Sequence, residues 1–177
     1  MASKLITYAV FLGAIFGLFM GIVIIPIYDS CVVDFAMELT KRDLIRHNVP
    51  ESEINTTLAV LKGELAAFKY WMPVAEMINL VIYGLIIGGI AHIFHYRVRL
   101  KEPAAISVAF LIVIGIYSLI LYGVNVYYSG DFIPMLLKYV PLWYILLGVF
   151  GFFGLYIVLC SVRGPWERWF MGGPKHY

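Results

Sequence analysis

Glu76 is the one carboxylate in an apolar run that is otherwise free of charge from Tyr70 to Tyr96. An ionisable side chain in hydrocarbon costs roughly 2.5 kcal/mol or more at mid-depth, so a carboxylate kept there is a candidate for binding a cation, relaying a proton or holding a substrate. Asn79 and Tyr83 follow at i+3 and i+7, on the same helical face. Tyr122 and Asn125 belong to a later apolar run and fall at a similar depth from its aromatic end. Glu76, Asn79, Tyr122 and Asn125 are therefore expected to form one intramembrane polar cluster. Its chemistry has two readings, an ion or substrate site and a hydrogen-bonded packing cluster. Glu76 lies about one turn in from Trp71, within reach of interfacial water. From Asn79 to His92 the only ionisable group is Tyr83. A proton or ion path places polar groups near the midplane, so the chain alone makes a poor pump.

The histidines are the next candidates. His92 and His95 stand i, i+3 at the far end of the run that carries Glu76. A haem held by two histidines needs an axial ligand from a second helix, and the other apolar runs contain none; His47 and His176 lie outside them. The pair reads as interface anchors or as a metal or quinone site. Asp43 and His47, at i, i+4, are a second weak metal pair. Asp34–Glu38 and Glu38–Arg42 share that spacing, as a solvated charged face would. Asn55-Thr56-Thr57 is an N-x-T acceptor, so Asn55 is a glycosylation candidate. Cys31 and Cys160 fall at opposite ends of their runs and are not expected to pair. No P-loop, GxGxxG, HExxH, CxxC or nucleophile elbow occurs. No catalysis and no cofactor are expected within this chain; the cofactors of any larger complex stay open.

The elements that must position these residues follow from composition. Hydrophobic residues make up 62% of the 177 and charged residues 14%, against about 45–50% and about 25% in soluble domains. That excludes an ordinary soluble domain, a disordered chain and a disulfide-stapled module, and a net charge of +2 gives no reason for a nucleic-acid partner. The charge-free gaps are 5–28, 103–130 and 139–162, with 70–96 broken only by Glu76. About 20 helical residues cross a hydrocarbon core of about 30 Å. The expected fold is an all-α polytopic membrane protein, a single membrane domain over 1–177 with four transmembrane helices at 5–27, 72–96, 104–128 and 139–161. The first is expected to be a retained span, because it is longer than a signal-peptide core and no small-x-small site follows it.

Charge sets the expected orientation. Lys4, Arg97, Arg99, Lys101, Arg163, Arg168 and Lys175 share a side with Glu102 and Glu167. The other side carries Lys41, Arg42, Arg46, Lys62, Lys69 and Lys138 against eight acidic residues: Asp29, Asp34, Glu38, Asp43, Glu51, Glu53, Glu64 and Asp131. The positive-inside rule puts both termini and the tail 162–177 in the cytoplasm and 28–70 outside a cell (plasma) membrane. Tyr70, Trp71, Tyr127, Tyr128, Tyr139, Trp143, Tyr144, Trp166 and Trp169 bracket the runs as an interfacial belt. Pro50 with Glu51 and Glu53 starts a helix whose stripe is Ile54, Leu58, Leu61, Leu65 and Phe68. Residues 30–47 read as a less regular helix, and Asn48-Val49-Pro50 as the break. Together they predict an external helical hairpin over 30–70.

Small residues recur at packing spacing. Gly13, Gly17 and Gly21 form one face, Gly84 and Gly88 a second, and Gly148, Gly151 and Gly154 a third. Such faces let backbones approach closely in lipid, in the manner of a glycine zipper, and three faces on four helices leave room for a neighbour. Pro26-Ile27-Tyr28-Asp29-Ser30 after the glycine-rich first run, and Tyr70-Trp71 before the second, resemble the CbtA-type cobalt-transporter subunits over about residues 25–95. That resemblance implies metal handling centred on Glu76. The residues themselves favour a non-catalytic subunit that stabilises a larger membrane complex, such as a respiratory or metal-dependent oxidoreductase, with other integral membrane subunits and the lipid bilayer as partners.

Overall fold

The computed structural model describes residues 4–162, and all regular structure among them is helical. The tail residues Arg163, Trp166, Glu167, Arg168, Trp169, Lys175 and His176 lie outside the described residues. Four segments are long and apolar enough to cross a membrane: Lys4–Ile27, the apolar part of Glu51–Arg97, Glu102–Tyr127 and Leu142–Ser161.

The first segment does not end in a loop. Helix α1 (Lys4–Ile24) tightens into a 3-10 turn at Ile25–Ile27, where Pro26 sits in the first turn, then widens into a π-helical stretch at Asp29–Val33 and continues as α2 (Asp34–Arg46). The expected hairpin is thus joined to the first run by an unbroken helical path. Its break falls where the residues require one. Asn48 adopts φ 55, a left-handed conformation that asparagine tolerates, and Pro50 precedes α3 (Glu51–Phe68), which carries Glu51 and Glu53 in its first turn. A 3-10 turn at Lys69–Trp71 leads straight into α4 (Met72–Arg97). After a short loop come α5 (Glu102–Tyr127) and α6 (Phe132–Tyr139), with Ser129 and Gly130 at positive φ between them.

One boundary differs from the expected 139–161. Val140 before Pro141 is extended, as a pre-proline residue prefers, so Tyr139 closes α6 and the fourth apolar segment starts only at Leu142. It consists of α7 (Leu142–Leu146), a π-helical stretch at Leu147–Gly151 and α8 (Phe152–Ser161).

The four long helices close a ring in which α1 touches α4 and α8, and α5 touches α4 and α8. Its core runs along α1 from Leu5 to Met20 and draws in most of its partners at the end nearest the Arg97–Glu102 loop. There Leu5, Tyr8, Ala9 and Leu12 of α1 meet Ile87 and Ala91 of α4, Ile106 and Ala109 of α5, and Phe152, Tyr156 and Cys160 of α8. The Tyr156 hydroxyl donates to the Leu5 carbonyl at 2.8 Å. A smaller cluster of Ile24, Tyr28, Val33 and Met72 sits at the hairpin end.

The α1–α4 seam is a backbone-to-backbone contact. A Cβ on Gly17 would stand 2.5 Å from the Met77 Cα, and one on Gly88 would stand 2.9 Å from the Ile6 Cα. Cβ atoms on Gly13, Gly21 and Gly84 would collide with backbone atoms of Leu80, Pro73 and Ala9. The first two glycine faces therefore close on each other inside the chain, and neither is free for a neighbour. On the third face a Cβ at Gly151 meets side-chain ends alone, Phe16 at 2.8 Å and Leu147 at 3.4 Å, Gly148 meets the Met20 methyl at 3.5 Å, and Gly154 has open space.

Candidate functional site

Glu76 is placed by that seam. Gly17 packs on the Glu76–Met77 backbone, and the Glu76 carboxylate turns toward the fourth apolar segment. The Tyr144 hydroxyl donates to one carboxylate oxygen at 3.5 Å and the Asn79 amide to the other, also at 3.5 Å. Both bonds are at the long end of the hydrogen-bond range. Glu76 is half-buried, Asn79 is exposed, and Tyr144 packs against both apolar clusters. The Glu76 site can accept further hydrogen bonds or a cation, but among the described residues no group of three or more His, Cys, Asp or Glu gathers there or elsewhere.

The expected four-residue polar cluster does not form. Asn125 spends its side-chain oxygen on the Ile133 N–H at 3.0 Å, capping α6, and Tyr122 is 66% exposed with no bond to Glu76 or Asn79. Tyr144 takes their place. In the sequence it read as one more belt aromatic, and nothing local marks it as a carboxylate partner 68 residues away.

The histidines have local occupations. His95 donates from Nδ1 to the Leu100 carbonyl at 2.7 Å, closing the turn that holds Arg99 at φ 61. The His92 ring lies 4.4 Å from that of Tyr96, and its Nδ1 is buried without a hydrogen-bond partner among the described residues. His47 Nδ1 meets the Asp43 carbonyl at 2.8 Å, and the Asp43 carboxylate stands 3.9 Å away. His47 thus serves as a C-terminal cap of α2. Asn55 is exposed on α3, and Cys31 and Cys160 are free and buried.

Sequence reasoning missed how the hairpin is tied down. Arg42 bonds Glu38 at 2.9 Å and Asp131 at 3.0 Å. Its guanidinium is held even more firmly protonated than usual, chiefly by the Glu38 hydrogen bond. Arg46 donates to the Tyr127 carbonyl and to Ser129 Oγ, and lies 4.9 Å and 5.4 Å from the Tyr127 and Tyr128 ring centroids. Lys69 pairs with Asp29 at 2.7 Å, and the Tyr28 hydroxyl donates to the Leu65 carbonyl at 3.1 Å. Burial, and then the Asp29 charge, push the Tyr28 phenol above its ordinary range; burial does the same for the Cys31 thiol. A cleft of about 280 Å³ remains between α2 and α3, lined by Asp34, Glu38, Lys41 and Lys62 over Met37 and Leu58.

Compared with known proteins, the chain matches no family model, no curated protein and no solved structure, so its functional reading rests on this geometry.

Proposed function

We propose that the chain is a non-catalytic, multi-pass subunit of a larger membrane complex, with both termini in the cytoplasm and the α2–α3 hairpin outside. The observation that carries this reading is the unequal closure of the helix ring. Side chains fill it at the Arg97–Glu102 end, whereas from Leu111 to Tyr127 no residue of α5 is buried. The fourth apolar segment is the least covered of the four. Lipid covers apolar side chains well, but the exposed surface of α4 and α5 also carries Asn79, Tyr117 and Tyr122. Polar groups left facing lipid are the usual adhesive between membrane helices.

The charge bias supports the orientation, since the Lys4 end is basic and the hairpin end acidic. Lys4 pairs with Glu102 at 3.4 Å, so the first helix start and the loop before α5 share one end. Extraction in a mild detergent followed by native mass measurement tests the reading. A fixed-stoichiometry assembly with at least one other integral membrane protein is expected. A chain that leaves the membrane alone or only with copies of itself would overturn it.

A further inference from the structure

We propose that the α2–α3 hairpin is a lid, hinged on α1 and α4 and latched on the α5–α6 turn, whose opening admits water from the hairpin end to the Glu76–Tyr144 pair. The hinge is in the backbone. Both paths that join the hairpin to the ring leave α-helical geometry at the joint. Ile25–Val33 passes through a 3-10 turn and a π-helical stretch, and Lys69–Trp71 is a 3-10 turn. Such interruptions mark hinges in otherwise continuous helices. α1 and α4 are neighbours in the ring. Their joints are tied to each other by Lys69–Asp29 at 2.7 Å and by the Tyr28 hydroxyl on the Leu65 carbonyl at 3.1 Å. The two joints therefore define one axis along one edge of the ring.

The latch lies at the opposite corner. α2 starts from the end of α1, and Arg46 in its last turn reaches the end of α5, so α2 crosses the hairpin end of the ring diagonally. Arg42, one turn earlier, holds Asp131 with the two side chains 40% and 69% exposed. Phe35 adds contacts to Phe132 and Tyr139 at 5.9 and 6.4 Å. Little else closes the lid. Among the described residues α2 buries no side chain and α3 only Ile54, and a cleft of about 180 Å³ stays open between α2 and α6. A segment with few buried apolar contacts and exposed polar ties opens readily, while the glycine seam keeps α1 on α4. Tyr144 connects the hinge to the site. It packs on the cluster of Ile24, Tyr28, Val33 and Met72 and donates to Glu76. Rotation at Tyr28 and Val33 thus moves the packing that holds the Tyr144 hydroxyl on the carboxylate. Glu76 lies about 8 Å along α4 from Trp71, a short path for water entering at the joint.

Thiol labelling of the full chain in lipid nanodiscs with a charged maleimide tests the lid. A thiol reacts as its thiolate, which forms in water and is disfavoured in apolar surroundings. Cys31 in the joint and Cys160 at the far end of the ring are both free and buried, so one is the reporter and the other the control. Arg42→Gln combined with Arg46→Gln should raise Cys31 labelling about tenfold. Raising salt to about 1 M should raise it about threefold in the unaltered chain. Cys160 should respond to neither. Glu76→Cys in a Cys31→Ala chain should label faster under the same two changes. Where the double arginine variant unfolds, the salt response of the unaltered chain decides. A Cys31 rate indifferent to salt and latch removal, or an equal rise at Cys160, would overturn the lid. A rise at Cys31 with none at Glu76→Cys would overturn the admission of water to the pair.

Discussion

Two contacts of α1 are built from similar small-residue patterns and behave oppositely. Against α4, the backbones of Gly13, Gly17 and Gly21 lie on the backbones of Leu80, Glu76–Met77 and Pro73. Against the fourth segment, Gly151 meets the end of Phe16 and Gly154 meets nothing. Spacing alone does not distinguish a seam from a spare face, because the difference lies in what stands opposite. A glycine facing backbone has no room to give, while a glycine facing a long side chain has a neighbour that can rotate away.

The sharpest way to break this comparison is to add bulk to both sides. Gly17→Leu should destabilise the chain by about 3 kcal/mol, or about 6–12 °C in a detergent melting curve. Gly154→Leu should stay within about 0.5 kcal/mol. Equal effects would mean that the seam is no tighter than the other contact. The α1–α8 contact includes a directional bond from Tyr156, and removing it sharpens the contrast. Tyr156→Phe should cost about 1 kcal/mol in the same measurement, because the buried Leu5 carbonyl loses a donor while the ring keeps its packing.

The hairpin offers a third regime, in which exposed charge does the holding. Arg46→Ala removes two hydrogen bonds and two ring contacts at the α5–α6 turn. Local opening of α2 should become about fivefold easier, read as faster amide exchange over 34–46, and the change should shrink at high salt. A global loss of melting temperature instead would show that the hairpin and the ring fold as one unit. The smallest effect is alkaline. Burial raises the Tyr28 pKa above its ordinary 10.0, so the folded state holds the phenol proton more tightly than the unfolded chain does. The stability from this group is whole below about pH 10 and falls as pH rises through the raised value. Tyr28→Phe should flatten that decline in a melting series from pH 8 upward.

Some of the candidate site was legible in the chain. Glu76 and Asn79 share a helical face by spacing, and the structure joins them. The third member was misjudged, because position along a helix axis is one coordinate and rotation about that axis is another. Tyr122 and Asn125 have a fitting position along their run, yet α5 turns them to the surface and to the start of α6. Tyr144 enters because Pro141 restarts the fourth segment at Leu142. The ties of Arg42 and Arg46 span 89 and 81 residues, and no local pattern encodes such a pairing.

Composition and charge spacing by themselves determined an all-helical chain, four segments long enough to cross a membrane, and a hairpin broken at Asn48–Pro50. These are one-dimensional properties: the length of an apolar run, the position of a proline, the period of a stripe. Only the tertiary structure decided which glycines form a seam, which half of the ring is filled, and that Tyr144 is the residue facing Glu76. Those outcomes depend on the relative rotation and tilt of helices far apart in sequence, set by which backbones can approach most closely. Gly13, Gly17 and Gly21 permit that approach to α4, and the arrangement of α5 and the fourth segment follows from it.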